Sequence, residues 1–235
     1  MARLPNTELM RLEAKRTFLE QFPLFDYLQD DEKLKLAELA EHRVIPRHHW
    51  IFQPGEVSDT VYFLLRGAVK TGNHSADGKE VINALVHPLA MFGELGLMGE
   101  QRRKSFAKVL KDDVQVLCIR VKDFREMMRT NYDLTNRVMM LLGARLMRTE
   151  EKLESLIFKD ARTRIVEFIR DAVNRRGKRI GYEMLLRHSL THQDIANITC
   201  TSRQTVTLVL NELKKSDLIH FNRGRILVRD MSRLA

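Results

Sequence analysis

The chain has 235 residues, 44% of them hydrophobic, which is the composition of an ordinary globular protein with room for one large or two small cores. Charged residues run through Met1–Phe18 and the longest apolar stretch is Val138–Leu142. No leader segment or bilayer span is therefore expected and a cytoplasmic protein is. Most of the net charge of +9 is concentrated: residues 161–235 hold 15 Lys and Arg against 7 Asp and Glu, whereas residues 1–160 hold 25 against 24, which predicts a polyanion partner for the last third.

In chain order, Met1 to His42 reads as helical. Leu9, Leu12, Phe18 and Leu19 form one apolar side, Leu34, Leu36, Leu39 and Ala40 a second, and Phe22-Pro23-Leu24-Phe25 breaks the period between them. From Arg43 to Val121 short apolar runs (Trp50–Phe52, Val61–Leu65, Val81–Val86, Val114–Val121) are divided by turn signals, Gln53-Pro54-Gly55, Arg66-Gly67, Asp77-Gly78 and His87-Pro88. Such punctuation predicts a small antiparallel roll or barrel, with Asp77-Gly78 as a hairpin tip.

Helical spacing returns at Leu134–Phe158, where Met139, Leu142, Leu146, Thr149, Leu153 and Leu156 alternate by threes and fours. This heptad seam predicts a two-stranded coiled coil in a homodimer, against the alternative of a helix packed on its own domain. Thr149, the polar residue on the seam, suits register or a contact at the dimer axis. Asp160 can cap a helix over Ala161–Arg175, and Arg176-Gly177-Lys178-Arg179 reads as a basic turn.

The strongest local signal lies at Leu190–Leu210. Thr191 and Asp194 form a capping box, Ile195, Ala196 and Ile198 a buried face, Thr199-Cys200-Thr201 a tight turn, and Ser202 a second cap. Val206, Val209, Leu210 and Leu213 then make the inner stripe of a second helix, the arrangement of a helix-turn-helix. Its outward residues, Arg203, Gln204, Thr207 and Leu208, are candidates for base edges, Arg for guanine and Gln for adenine. Thr191, Gln193, Ser202 and Thr205 can donate to phosphates, and Lys214 extends the basic surface. Two short apolar runs around Asn222-Arg223-Gly224 predict a wing, with Arg223 and Arg225 toward the backbone.

Together these motifs resemble the family of the cyclic-AMP receptor protein and the fumarate–nitrate reduction regulator, from about Leu24 onward. The resemblance rests on Pro54-Gly55-Glu56 to Leu65-Arg66-Gly67, Asp77-Gly78-Lys79-Glu80, Phe92-Gly93-Glu94-Leu95-Gly96-Leu97 and Thr201–Val206. It implies an α+β protein: an N-terminal antiparallel β-roll of the cyclic-nucleotide-binding kind with N-terminal helices (1–132), a long dimerisation helix (133–158) and a C-terminal winged helix-turn-helix (159–235). By the same resemblance an effector site would comprise Gly93, Glu94, Leu95, Lys104, Ser105, Phe106, Thr149 and Glu150. Glu94 would accept from a ribose, Ser105 would donate to a phosphate and Thr149 would reach a base. The sequence departs from the family's Arg-Ser-Ala at Lys104-Ser105-Phe106, because lysine lacks the guanidinium fork, and from its Thr-Ser pair at Thr149-Glu150. These departures predict weak or absent cyclic-AMP binding unless a slipped register brings Arg103 to the phosphate.

The expected function is a homodimeric, sequence-specific transcription regulator that binds double-stranded operator DNA, answers to a small effector and works with RNA polymerase. Alternatives are a cyclic-nucleotide-binding regulatory module of a signalling protein, which needs no helix-turn-helix, and a constitutive regulator with a degenerate pocket. A cupin-like metalloenzyme is disfavoured because the eight histidines give no H-x-H with a following Glu, and His48-His49 would point to opposite faces of a strand. No nucleophile elbow or P-loop appears, so no enzyme is expected. Cys118 and Cys200 read as small buried apolar residues without a disulfide, and two thiols cannot hold a four-cysteine iron–sulfur cluster; no metal is expected.

Overall fold

The structure, a computed structural model, describes residues 11–222 and 224–234. The expected apolar residue Leu9 lies outside them. Two short helices, α1 (Leu12–Leu19) and α2 (Asp30–Leu39), flank a 3₁₀ turn at Pro23–Phe25. A capping box of Gln29 with Glu32 opens α2. Phe22 and Phe25 are sealed by Phe63 and Phe124, at ring-centroid distances of 5.6 Å (Phe22–Phe63) and 6.4 Å (Phe25–Phe124). The helical reading to His42 is too long. Ala40 is extended, and β1 (Glu41–Ile45) begins there because a partner strand awaits it.

The roll is built from β1 and seven further strands: β2 (Trp50–Phe52), β3 (Thr60–Arg66), β4 (Val69–His74), β5 (Glu80–Val86), β6 (Met91–Phe92), β7 (Phe106–Val109) and β8 (Val114–Arg120). They form two four-stranded sheets, in the orders β1-β8-β3-β6 and β2-β7-β4-β5. Strand β3 is buried on both faces from Val61 to Leu65, which is why its sequence is a continuous apolar run rather than an alternating one. Gly78 sits in the β4–β5 turn as expected. His48 and His49 lie in the turn between β1 and β2, not on a strand as expected, with His48 at φ +66°.

Two helices follow. The sequence did not reveal α3 (Val121–Thr130), whose Val121, Phe124 and Met127 are buried, because it follows an apolar strand without a turn signal. The long helix α4 (Tyr132–Phe158) starts where Asn131 Oδ1 accepts from Leu134 N (2.8 Å). Leu134 and Val138 are buried; farther along, Met139, Leu146 and Leu153 are about 60% exposed.

Asp160 caps α5 (Ala161–Arg176) by accepting from Thr163 N at 2.7 Å. After it come β9 (Lys178–Ile180), β10 (Glu183–Arg187), α6 (His192–Thr199), α7 (Arg203–Lys215), β11 (Ile219–Asn222) and β12 (Arg225–Val228), with sheet order β11-β12-β10-β9. The expected basic turn at 176–179 is thus partly strand, since Lys178 pairs with Leu185. Ile165, Ile169, Ile195, Val206, Leu210, Ile219 and Ile226 close one core. The chain divides into two compact units, one of residues up to Gly78 with Asn83–Leu146, the other of Lys79–Ile82 with residues from Met147 on. Among the described residues no helix is long and apolar enough to cross a membrane, and no cluster of three His, Cys, Asp or Glu side chains is arranged to hold a metal.

Candidate nucleic-acid interface and effector site

The helix pair is fixed from below and capped at both starts. Thr191 Oγ1 accepts from Asp194 N (3.1 Å), and Asp194 Oδ2 accepts from Thr191 N (2.9 Å), the reciprocal box read from the sequence. Ser202 Oγ accepts from Thr205 N (3.0 Å) and opens α7. Between the two helices Cys200 adopts the left-handed conformation (φ +51°). Arg164 of α5 holds this turn, donating Nε to Thr199 O (3.0 Å) and Nη2 to Cys200 O (3.2 Å). Sequence reasoning missed this residue. Its one signal was a cation at the start of α5, and its target lies 35 residues away. Cys200 is exposed rather than buried because a left-handed C-cap turns its side chain out of the core. Cys118 is buried, and burial pushes its thiol up to about 12.

With Val206, Val209, Leu210 and Leu213 inward, α7 leaves Arg203, Gln204 and Leu208 exposed, Leu208 at 63%. Thr207 is partly spent, donating to Arg203 O (2.9 Å) and meeting His192 Nδ1 at 3.0 Å. Gln193 donates to Asn197 Oδ1 (2.8 Å). Lys214 lies 5.6 Å from the Phe221 ring centroid, and Arg225 is exposed on β12. Arg223 lies outside the described residues. His192 is held below the ordinary histidine value by burial first and by Arg203 second. His188 is lowered too, chiefly by burial.

In the roll, Gly93 is left-handed (φ +72°) and opens a 3₁₀ turn, Glu94–Met98. A Cβ there would stand 3.0 Å from the Tyr62 ring and 3.1 Å from Arg103 Nη1, so glycine is required on both counts. Arg103, 3% exposed, donates Nη1 to Gly93 O (2.7 Å) and Nη2 to Thr60 O, and its guanidinium lies 4.3 Å from the Phe52 ring centroid. Its Nε is buried without a hydrogen-bond partner, and burial lowers its pKa. Glu94, 5% exposed, accepts from Arg145 Nη1, and Arg145 Nη2 donates to Met91 O.

A family described as cyclic nucleotide-binding domain matches residues 42–131, and one described as Crp-like helix-turn-helix domain matches residues 163–235. The CRP-like cAMP-activated global transcriptional regulator of Mycobacterium tuberculosis is 30% identical over 190 residues, covering 81% of this chain and 84% of that one. The chain belongs to the CRP/FNR family of transcription regulators. The global nitrogen regulator of a Nostoc species is 29% identical over 183 residues, covering 77% and 82% of the two chains. The solved structure of FixK2 from Bradyrhizobium japonicum superposes with a TM-score of 0.74 at 20% identity, over 83% of this chain and 95% of that one, and supports the fold.

As a CRP/FNR regulator the protein is a DNA-binding transcription regulator, and the named Mycobacterium tuberculosis relative is a transcriptional regulator. Of the residues expected at an effector site, Gly93 and Glu94 lie beside Arg103, the slipped-register candidate, and Arg145, which the sequence reading did not name. Lys104 is exposed, Ser105 partly so, and Leu95 is 45% exposed. Phe106 is wholly buried, with its ring 5.3 Å from Trp50 and 4.8 Å from His74. Thr149 and Glu150 lie on the part of α4 that belongs to the second unit.

Both depressed histidines have a consequence for stability. Between their lowered folded values and the unfolded value near 6.5, the unfolded chain binds protons that the folded chain does not. Stability of the winged helix should therefore be full above about pH 6.5 and fall as the pH drops through it. Thermal unfolding should show a lower midpoint at about pH 5.5 than at about 7.5, and His188→Gln with His192→Gln should flatten the difference. An unchanged pH profile in that double variant would show that other groups set it.

Proposed function

We propose that this CRP/FNR regulator works as a homodimer in the cytoplasm. Residues 159–235 read a two-fold symmetric operator, 133–158 join the protomers, 1–132 receive a small effector, and the bound dimer acts on transcription through RNA polymerase. The observation that carries the reading is the outer face of α7. Arg203, Gln204 and Leu208 project from a helix whose other side is wholly packed, between two capped N-termini that suit phosphates at Thr191, Gln193, Ser202 and Thr205. Lys214, Arg223 and Arg225 supply backbone contacts. The dimer reading is supported by Met139, Leu146, Leu153 and Leu156, each 38–61% exposed on α4, with Leu142 and Thr149 between them.

Effector binding would bias the orientation of the two winged domains, a shift between DNA-competent and incompetent populations. Glu94 and Arg103 are the groups best suited to a ribose and a phosphate, and both are already engaged, by Arg145 and by the carbonyls of Gly93 and Thr60. A cyclic nucleotide must break these contacts or share them. Cyclic AMP is therefore a poor effector here. Isothermal titration should find no micromolar cyclic-AMP affinity, and such an affinity coupled to tighter operator binding would reverse this conclusion.

Arg203→Ala should cost roughly 1–3 kcal/mol on the best operator and much less on random DNA, whereas Lys214→Ala should weaken both alike. Equal losses for Arg203→Ala in gel-shift titrations would make it a phosphate contact. Leu146→Arg brings like charges together across the desolvated seam, so sedimentation should find monomers with reduced operator affinity. A variant that still sediments as a dimer would move the interface elsewhere.

A further inference from the structure

The sheet of the winged helix has one buried and one outer face, and its register tells which residues share each. Directly opposed residues of an antiparallel pair point to the same side. Leu186 opposes Ile226 and Ile219 opposes Val228, and all four are buried. The alternate set is therefore outer: Arg187 opposes Arg225, Arg225 opposes Asn222, and Lys178 opposes Leu185.

Two arginines thus stand side by side on neighbouring strands, both exposed, and neither makes an ion pair among the described residues. Like charges directly opposite each other destabilise a sheet. The acid within these four strands, Glu183, lies at the other end of β10, 3.9 Å from Arg229. The chain just beyond Arg187 is tied to the wing: His188 N donates to Gly224 O (2.9 Å), and Gly224, at φ +77°, has no room for a Cβ beyond 3.0 Å from His188 O. Four residues on, Thr191 caps α6. Arg187 accordingly sits in sequence and register between the wing turn and a helix N-terminus.

We propose that Arg187 joins Arg225 in a phosphodiester-binding pair on the outer face of the wing, a DNA-backbone contact from β10 that adds to the one assigned above to Arg225. The inference rests on the DNA-binding reading of this domain. Two guanidinium forks at cross-strand spacing can grip one phosphate, or two successive ones, in planar bidentate contacts. The anion removes the repulsion that the free sheet carries.

The test uses the full chain and a mixed-sequence duplex, titrated by fluorescence anisotropy between about 50 and 200 mM salt. Arg187→Ala should weaken binding about tenfold per dimer and reduce the slope of log affinity against log salt by about one per chain. Its melting temperature should stay the same or rise, because the cross-strand repulsion is gone. Arg187→Lys should keep the slope and lose part of the affinity. An unchanged slope, or weaker binding with a lowered melting temperature, would overturn the proposal. So would unchanged DNA binding with lost transcription in a reconstituted assay, which would make this face a protein contact. Wild-type protein that binds no duplex at any salt would instead strike at the DNA-binding reading itself.

Discussion

Helix α4 carries more apolar surface than its own chain covers. Leu134 and Val138 find a place in the core beside Phe124 and Met127, Leu141 and Leu142 pack partly against it, and then the supply of partners ends. Over the remaining turns Met139, Leu146 and Leu153 stay more than half exposed, with Met140, Met147, Ile157 and Phe158 beside them. A helix of 27 residues spans roughly 40 Å, so this is a long stripe to leave in water. In the proposed dimer a second copy would bring the same stripe against it about a two-fold axis. If the stripe is closed in that way, two recognition helices are fixed about a two-fold axis, and the symmetry of the operator follows from that of the seam.

The start of the same helix is held to the roll by apolar packing, and its middle by charge, through Arg145. Arg145 reaches Glu94 and Met91 O, and Arg103 spans Gly93 O and Thr60 O with its guanidinium near the Phe52 ring. Buried ions are costly unless paired and hydrogen-bonded, and here a guanidinium meets carbonyls while a carboxylate meets a guanidinium. These are the same chemical groups an anionic nucleotide would need. In the proposed effector site internal satisfaction and ligand affinity would compete for them, and each hydrogen bond kept inside the protein would raise the cost of accepting a ligand.

In the winged helix the structural work is done on the inner side. Arg164 ties the turn to α5, the cap residues close both helix starts, and His192 with Thr207 links α6 to α7. That leaves Arg203, Gln204 and Leu208 on α7, and Arg187 with Arg225 on the sheet, without a structural duty that would hold them away from a ligand.

Local features were legible in the sequence because their causes are local. The caps at Asp160, Thr191 and Ser202 act within three residues, the Asp77-Gly78 turn within two, and the apolar periods of α4 and α7 within one or two turns. The β9–β10 strands escaped notice because their outer residues are charged and their inner ones few. Tertiary structure alone decided which cation of Arg102-Arg103-Lys104 turns inward. Backbone bonds between Arg103 and both Gly55 and Glu56 fix a two-residue alternation, which sends Arg102 and Lys104 out and Arg103 in. The partners of Arg145 and Arg164 lie 51 and 35 residues away, and a linear pattern carries no record of such distances. The sequence by itself determined the order of roll, long helix and winged helix, because periodicity and capping are short-range. The identity of the charged groups at the roll's centre was settled only by folding, because strand register and burial are long-range.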